Sequence, residues 1–327
     1  MSFSSEVKEE LSLQLSSARH CRLAELSAIC SYECHLIRSG ERLYLRLQTE
    51  NLVVARKYFT LIRKTFNISS EISVKINSRQ NKSNITLIIR NTKDVIRIMQ
   101  ACKLSLENVP EGSSRIGAAS QLVTQNACCK RAFIRGAFLS SGSMSDPKKA
   151  YHLEVVTASP EKAEQLRDII QAFSIDAKIV MRKKNYVVYI KEGSQIVDLL
   201  NVMEAHVALM DLENVRILKE MRNSINRQVN CEAANITKTV NAASKQKEDI
   251  LYIRDTVGFG DLAEGLEDIA QLRIDYPEAS LKELGAMLQP AIGKSGVNHR
   301  LRKLSMIADQ LREHKEENSH DNKGNCN

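Results

Sequence analysis

The chain repeats itself, and the repeat limits what it can fold into. Phe66-Asn-Ile68 returns as Phe173-Ser-Ile175, and Ile89-Arg-Asn-Thr-Lys-Asp-Val-Ile returns as Ile190-Lys-Glu-Gly-Ser-Gln-Ile-Val. Periodicity runs in a similar order around each copy. In the first, residues 22–33 read as a helix rich in small residues and Arg42–Gln48 as a strand. That strand puts Arg42, Tyr44, Arg46 and Gln48 on one face and Leu43, Leu45 and Leu47 on the other. A helix over 51–66, strands Glu71–Asn77 and Asn84–Arg90 joined by a polar turn over 78–83, and a helix over 93–104 follow. The second copy has a small-residue helix over 128–140, a polar turn over 142–149 and a strand Tyr151–Thr157. A helix over 160–173 opens on Pro160; paired strands Ala177–Arg182 and Tyr186–Lys191 and a helix over 193–203 complete it. Two such halves, each with a one-sided apolar sheet, can pair about a pseudo-twofold axis into one saddle.

Residues 1–20 read as an N-terminal helical extension with Phe3, Val7 and Leu11 on one side. The first repeat takes 21–104, and the second 127–210. Residues 105–126, with Pro110, Gly112 and Gly117, read as the linker between them. Residues 211–312 are all helical in pattern: helices over 211–227 and 231–256, a break at Gly258 and Gly260, a helix over 262–276, then Pro277. The polar end, 313–327, has the composition of a disordered tail.

After Pro277 comes a helix-turn-helix pattern over 280–308. Ser280 with Glu283 forms a capping-box signature, and Leu281, Leu284 and Leu288 make an apolar stripe. Pro290 and Gly293 lie in a six-residue connector, longer than the usual tight turn. The next helix buries Val297, Leu301, Leu304 and Ala308 on one face and presents Ser295, His299, Arg302 and Met306 on the other, with Asn298 and Lys303 at its margins and Arg300 on the flank. Ser295 fits an N-cap, and no acidic residue occurs between Lys294 and Met306. In a helix-turn-helix this second helix enters the major groove. The same pattern also describes a plain helical hairpin with a solvated charged face.

Over all 327 residues the net charge is +8, which favours a polyanionic partner. Tryptophan is absent and aromatics are 5%, which disfavours an aromatic platform for single-stranded nucleic acid. The polar, acidic N-terminal segment is unlike a signal peptide, and no apolar run is long enough to cross a membrane. A cytoplasmic, nucleoid-associated protein with no membrane insertion is expected. The eight cysteines form no framework and read as reduced thiols. Cys30, Cys34 and His35 are close in sequence but find no second cluster, so neither a metal nor another cofactor is expected.

The small-residue helices resemble the signature helices of LAGLIDADG homing endonucleases. Ile134-Arg-Gly-Ala-Phe-Leu-Ser-Ser-Gly142 fits that nine-residue pattern with Gly136 and Gly142 in place; Leu26-Ser-Ala-Ile-Cys-Ser-Tyr-Glu-Cys34 is the weaker match. In that family each helix ends in a carboxylate, and the pair holds metal ions. Here the first helix carries Glu33 and the second Ser141, so the resemblance implies the scaffold without the metal pair or nuclease activity. Beyond this domain, Ser4-Ser-Glu-Val-Lys-Glu-Glu-Leu11, Arg135-Gly-Ala-Phe-Leu139, Tyr151-His-Leu-Glu154, Asn230-Cys-Glu-Ala-Ala-Asn235, Ala270-Gln-Leu-Arg273, Leu281-Lys-Glu-Leu-Gly285 and Lys294-Ser-Gly-Val-Asn-His-Arg-Leu-Arg-Lys303 resemble the WhiA family of bacterial DNA-binding proteins.

That resemblance implies an α+β fold: a duplicated LAGLIDADG homing-endonuclease-like domain with two mixed sheets about a pseudo-twofold axis, then an all-α helix-turn-helix domain. It implies a non-enzymatic regulator of transcription tied to sporulation, cell division and chromosome segregation, with double-stranded DNA and proteins of those machineries as partners. Ser295, Asn298, His299 and Arg302 are the candidates for base-edge or groove contacts, and Lys294, Arg300 and Lys303 for phosphate contacts. The other readings are a scaffold that binds DNA or protein through the duplicated domain, using Arg42, Tyr44, Arg46 and Gln48 with Arg182, Lys183 and Lys184, and, less favoured, a residual metal-dependent DNA endonuclease that relies on Glu33.

Overall fold

The computed structural model describes residues 2–77, 82–107, 109–260 and 262–321. The chain divides into two compact units, Met1–Glu220 and Met221–Asn327.

The first unit opens with α1 (Phe3–Leu13) and α2 (Arg19–Glu33), then β1 (Cys34–Ser39), β2 (Arg42–Thr49), α3 (Leu52–Phe66), β3 (Glu71–Asn77), β4 (Lys82–Ile89), α4 (Thr92–Ala101) and β5 (Gly112–Arg115). A 3-10 turn (Gln121–Thr124) leads to α5 (Ala127–Ser141), β6 (Gly142–Met144), β7 (Leu153–Thr157), α6 (Pro160–Gln171), β8 (Lys178–Arg182), β9 (Asn185–Ile190) and α7 (Gly193–Met203). Side-chain caps fix the starts of helices in both halves: Asn51 and Asn91 accept from the second backbone N–H that follows, and Ser159 accepts from Lys162 ahead of Pro160.

The sheet orders are β3-β4-β2-β1-β5 and β6-β7-β9-β8, so the second repeats the first apart from β5. The sheets are antiparallel throughout rather than mixed, because β4 lies beside β2 and the crossover through α3 skips one strand. In β2 the alternation holds: Leu45 and Leu47 are buried while Arg42 and Gln48 are exposed. The linker is not structureless, since β5 pairs with β1, His35 opposite Arg115. Its sequence Gly-Ser-Ser-Arg has no apolar alternation, because an edge strand holds its place through backbone bonds. Likewise Gly142–Met144, at the start of the expected polar turn, is a short strand on β7. Of the turn expected over 78–83, residues 78–81 lie outside the described residues.

Helices α2 and α5 form the centre. A Cβ on Gly136 would sit 2.4 Å from the Glu25 carbonyl oxygen and 2.9 Å from Ala28 Cβ, so only glycine permits this approach. Beside it lies a buried charge network. Glu25 Oε1 meets Lys57 Nζ of α3 at 3.0 Å and Arg135 Nε of α5 at 3.2 Å, and Arg135 Nη1 reaches Glu204 Oε2 at 2.7 Å. Lys57 also donates to the Leu11 carbonyl at the end of α1, at 3.4 Å. With Val7 and Leu11 fully buried, α1 belongs to the core rather than extending from it.

Between the repeats and the C-terminal helices runs α8 (His206–Thr256). It is one helix where two were expected, since no Gly or Pro lies within it. It ends as anticipated: Gly258 takes φ +74°, and both Val257 and Gly258 donate to the Ile253 carbonyl. The second unit then has α9 (Leu266–Asp275), α10 (Leu281–Met287) and α11 (Lys294–Asp321) around a core of Ile250, Ile253, Ile269, Leu284, Val297 and Leu301. Thus 313–321 are helical rather than disordered, with no Gly or Pro before Gly324 to stop the helix; residues 322–327 lie outside the described residues. Buried Asp249 of α8 is held by Arg312 of α11 at 2.8 Å, and the Arg312 guanidinium lies over the Tyr252 ring.

Two outcomes follow from this packing. Gly136→Val forces a backbone shift at α2–α5 and costs about 3 kcal/mol or more; urea unfolding of the first unit reads the loss. Arg312→Ala leaves the Asp249 carboxylate buried without its cation and lowers stability of the second unit by about 2–4 kcal/mol, measured by thermal unfolding.

Candidate nucleic-acid interface

The candidate site is built on α10 and α11. The capping box at the start of α10 is formed both ways: Ser280 N donates to Glu283 Oε2 at 2.7 Å, and Glu283 N donates to Ser280 Oγ at 3.3 Å. A Cβ on Gly285 would meet the Ile292 carbonyl oxygen at 2.2 Å, so the connector lies directly on α10. Ile292 N donates to the Gly285 carbonyl at 3.0 Å. This folding back absorbs the extra length of the connector. Arg273 of α9, almost fully buried, donates to the Pro277 and Ala279 carbonyls and fixes the entry to α10.

α11 starts two residues earlier than an N-cap at Ser295 requires. Val297 N bonds to the Gly293 carbonyl, so Gly293 holds the cap position and Ser295 sits in the first turn. Val297, Leu301, Leu304 and Ala308 are buried, as their spacing predicts. Lys294, Ser295, His299, Arg302 and Lys303 are exposed, and Asn298 is half-buried. Ser295, His299 and Arg302, at i, i+4 and i+7, form one stripe on the exposed side. Lys294 and Asn298 lie beside it, on the lip of a cleft of about 1010 Å³.

Arg300 is placed differently from the other basic residues. It is half-buried, and Nη1 donates to the Gly265 carbonyl at the start of α9, at 3.1 Å. Gly265 takes φ +77°, and a Cβ there would meet the Arg300 guanidinium at 2.9 Å. The contact depends on a tertiary approach that helix periodicity cannot show.

The cleft brings in residues that the sequence did not single out. Lys238 and Lys247 of α8 and Lys282 of α10 line it with Lys294 and Arg273, against one carboxylate, Glu278. Lys238 and Lys247 are far from the helix-turn-helix in sequence, and their spacing along α8 is half a turn out of phase for a shared helix face, so periodicity does not pair them.

In the first unit, the ends of α2 and α5 hold the positions where the family resemblance implies a carboxylate pair. Glu33 ends α2, and burial lifts its carboxyl to about 7 against the opposing pull of Lys8, a hydrogen bond from Thr49, and Arg115. At the end of α5, Ser141 lines a cleft of about 460 Å³ together with Arg115 and Lys162, whose ammonium burial brings down to about 8. No carboxylate lines that cleft among the described residues.

Comparison with known proteins agrees with both units. Family models match the WhiA N-terminal LAGLIDADG-like domain over residues 19–105, the WhiA LAGLIDADG-like domain over 130–222, and the WhiA C-terminal HTH domain over 225–308. The chain is 63% identical over 315 residues to the probable cell division protein WhiA of Lachnoclostridium phytofermentans, covering 96% of this chain and 100% of that one. It is 50% identical over 321 residues to the protein of the same description from Alkaliphilus oremlandii, covering 97% and 100%. Its fold is similar to the crystal structure of full-length DUF199/WhiA from Thermatoga maritima, with a TM-score of 0.55 at 23% identity, covering 95% of this chain and 99% of that one. The chain belongs to the WhiA family, with a duplicated LAGLIDADG-like domain followed by a C-terminal helix-turn-helix domain.

Proposed function

We propose that this chain is a DNA-binding protein that regulates transcription in cell division and chromosome segregation, with the sporulation role its family resemblance implies, and that it reads duplex DNA through α11. The observation that carries the proposal is the exposed face of that helix. Ser295, His299, Arg302 and Lys303 stand clear of the fold while Val297, Leu301 and Leu304 anchor the opposite side. The family match to an HTH domain and the relatives named as cell division proteins support it.

In this reading Ser295, Asn298, His299 and Arg302 address base edges, and Lys294 and Lys303 address phosphates. Arg300 already spends one N–H on the Gly265 carbonyl; its remaining donors are left for a phosphate, and its first effect is to set α11 against α9. Lys238, Lys247 and Lys282 add positive charge beside Lys294, which suits a flanking backbone. A nucleoid location follows from such binding, and no helix among the described residues is long and apolar enough to cross a membrane. Proteins of the transcription or division machinery are the expected further partners.

The scaffold reading places DNA or protein on the sheets of the first unit. Its basic face is partly spent internally: Arg182 pairs with Glu154 at 3.1 Å, and Arg46 donates to Ser113 Oγ. Nuclease chemistry on this unit would need a second carboxylate opposite Glu33, and the equivalent helix end offers Ser141 beside two cations. We therefore read this domain as non-catalytic.

Arg302→Ala is expected to weaken binding to a selected genomic fragment by about 1–3 kcal/mol, read across a salt series with the full-length chain. Unchanged selectivity would contradict the assignment. Glu33 gives a separate, pH-dependent outcome. Its carboxyl is raised in the fold, so the folded chain holds the proton more tightly and Glu33 costs stability as pH rises from about 4.5 to about 7. Glu33→Gln removes that cost. At pH 8 the variant is expected to exceed the wild type by about 1–2 kcal/mol, a figure reduced for the partial exposure of the group, and the difference should vanish near pH 4.

A further inference from the structure

Among the described residues, one group of side chains has the donor set of a metal site: His20 and Cys21 from the first turn of α2, Cys128 and Cys129 from the first turn of α5. The four ligand atoms lie within 4.8 Å of one another. His20 Nδ1 is 3.2 Å from Cys129 Sγ, 3.3 Å from Cys21 Sγ and 3.9 Å from Cys128 Sγ. A ring nitrogen has one lone pair, so it cannot accept from three thiols at once. A cation placed between the four atoms would satisfy all of them together.

We propose that His20, Cys21, Cys128 and Cys129 form a structural zinc site that staples the two repeats at the N-terminal ends of their central helices. The positions are symmetry-related: with Leu26 aligned on Ile134, His20 falls on Cys128 and Cys21 on Cys129. Each repeat thus gives a two-residue half-site, and the pseudo-twofold that pairs α2 with α5 brings the halves together. Three thiolates and one imidazole make a closed tetrahedral zinc set, with Zn–S about 2.3 Å and Zn–N about 2.0 Å. Those lengths imply ligand–ligand separations of about 3.5–3.8 Å, so the two short nitrogen–sulfur distances would widen slightly and the longer separations would close by at most about 1 Å. The complex carries one net negative charge, which two converging helix N-termini and the neighbouring Arg19 and Lys130 offset. This site is at the opposite ends of α2 and α5 from Glu33 and Ser141.

The test uses the full-length chain, reduced and freed of metal, titrated with Zn²⁺ and in parallel with Co²⁺. Cys128 and His20 are both exposed, so Cys128→Ser and His20→Ala should leave the apo fold intact. About one zinc per chain is expected, with affinity falling at least about tenfold in either variant. Cobalt should give thiolate charge-transfer absorption and tetrahedral d–d bands in the wild type alone. A chelator should lower the melting temperature of the zinc-loaded wild type and leave the variants unchanged. Reduced wild-type chain that takes up no more zinc or cobalt than the variants, or a cobalt spectrum without thiolate charge transfer, would overturn the proposal.

Discussion

The backbone of α2 and the backbone of α5 touch at Gly136, and the first unit depends on that contact. With the Glu25 carbonyl 2.4 Å from where a Cβ would be, the two helices are too close for any other residue. Such closeness leaves little room for side chains between them, so the helices carry Ala24, Ala28, Ala132 and Ala137 on their buried surfaces. Larger groups are displaced to the flanks, where the sheets and outer helices cover them. The buried Glu25 is tolerated at the centre because Lys57 and Arg135 reach it from α3 and α5, and removing both would leave it buried without a basic partner. The same network draws in the end of α1 through Lys57 and the end of α7 through Arg135 and the Met203 carbonyl.

A duplicated scaffold keeps its symmetry where packing demands it and loses it elsewhere. Both sheets share one strand order, yet only the first gains β5 from the segment between the repeats. Both central helices run directly into a strand, β1 or β6, yet only α2 ends in a carboxylate, and Lys162 and Arg115 stand near the end of α5. The end of α5 therefore offers a hydroxyl and two basic side chains where α2 offers a carboxylate.

Periodicity revealed much of this. The duplication, the alternation of β2, the stop at Gly258, the capping box of α10 and the buried face of α11 all follow from local chemistry that a single segment carries. What stayed hidden was non-local. β5 contributes backbone bonds without an apolar pattern, so nothing in Gly112–Arg115 marks it as a strand. Arg300 looks like its basic neighbours until Gly265 comes within reach. Lys238 and Lys247 join the candidate interface only because α8 packs beside α10 and α11 in the second unit. The thiols at 21, 128 and 129 seem scattered along the chain, although the repeat itself sets them in register. In each case the missing information was which distant segment lies opposite.

In the proposed function α11, rather than the sheets of the first unit, meets DNA. Two full-length variants separate these directly: one with Lys294, Arg302 and Lys303 all changed to Ala, the other with Arg182, Lys183 and Lys184 changed to Ala. Each loses three positive charges, so a generic electrostatic surface would weaken alike in both. The account predicts that the first variant loses fragment-selective binding while the second keeps it. Selectivity lost in the second and retained in the first would contradict it.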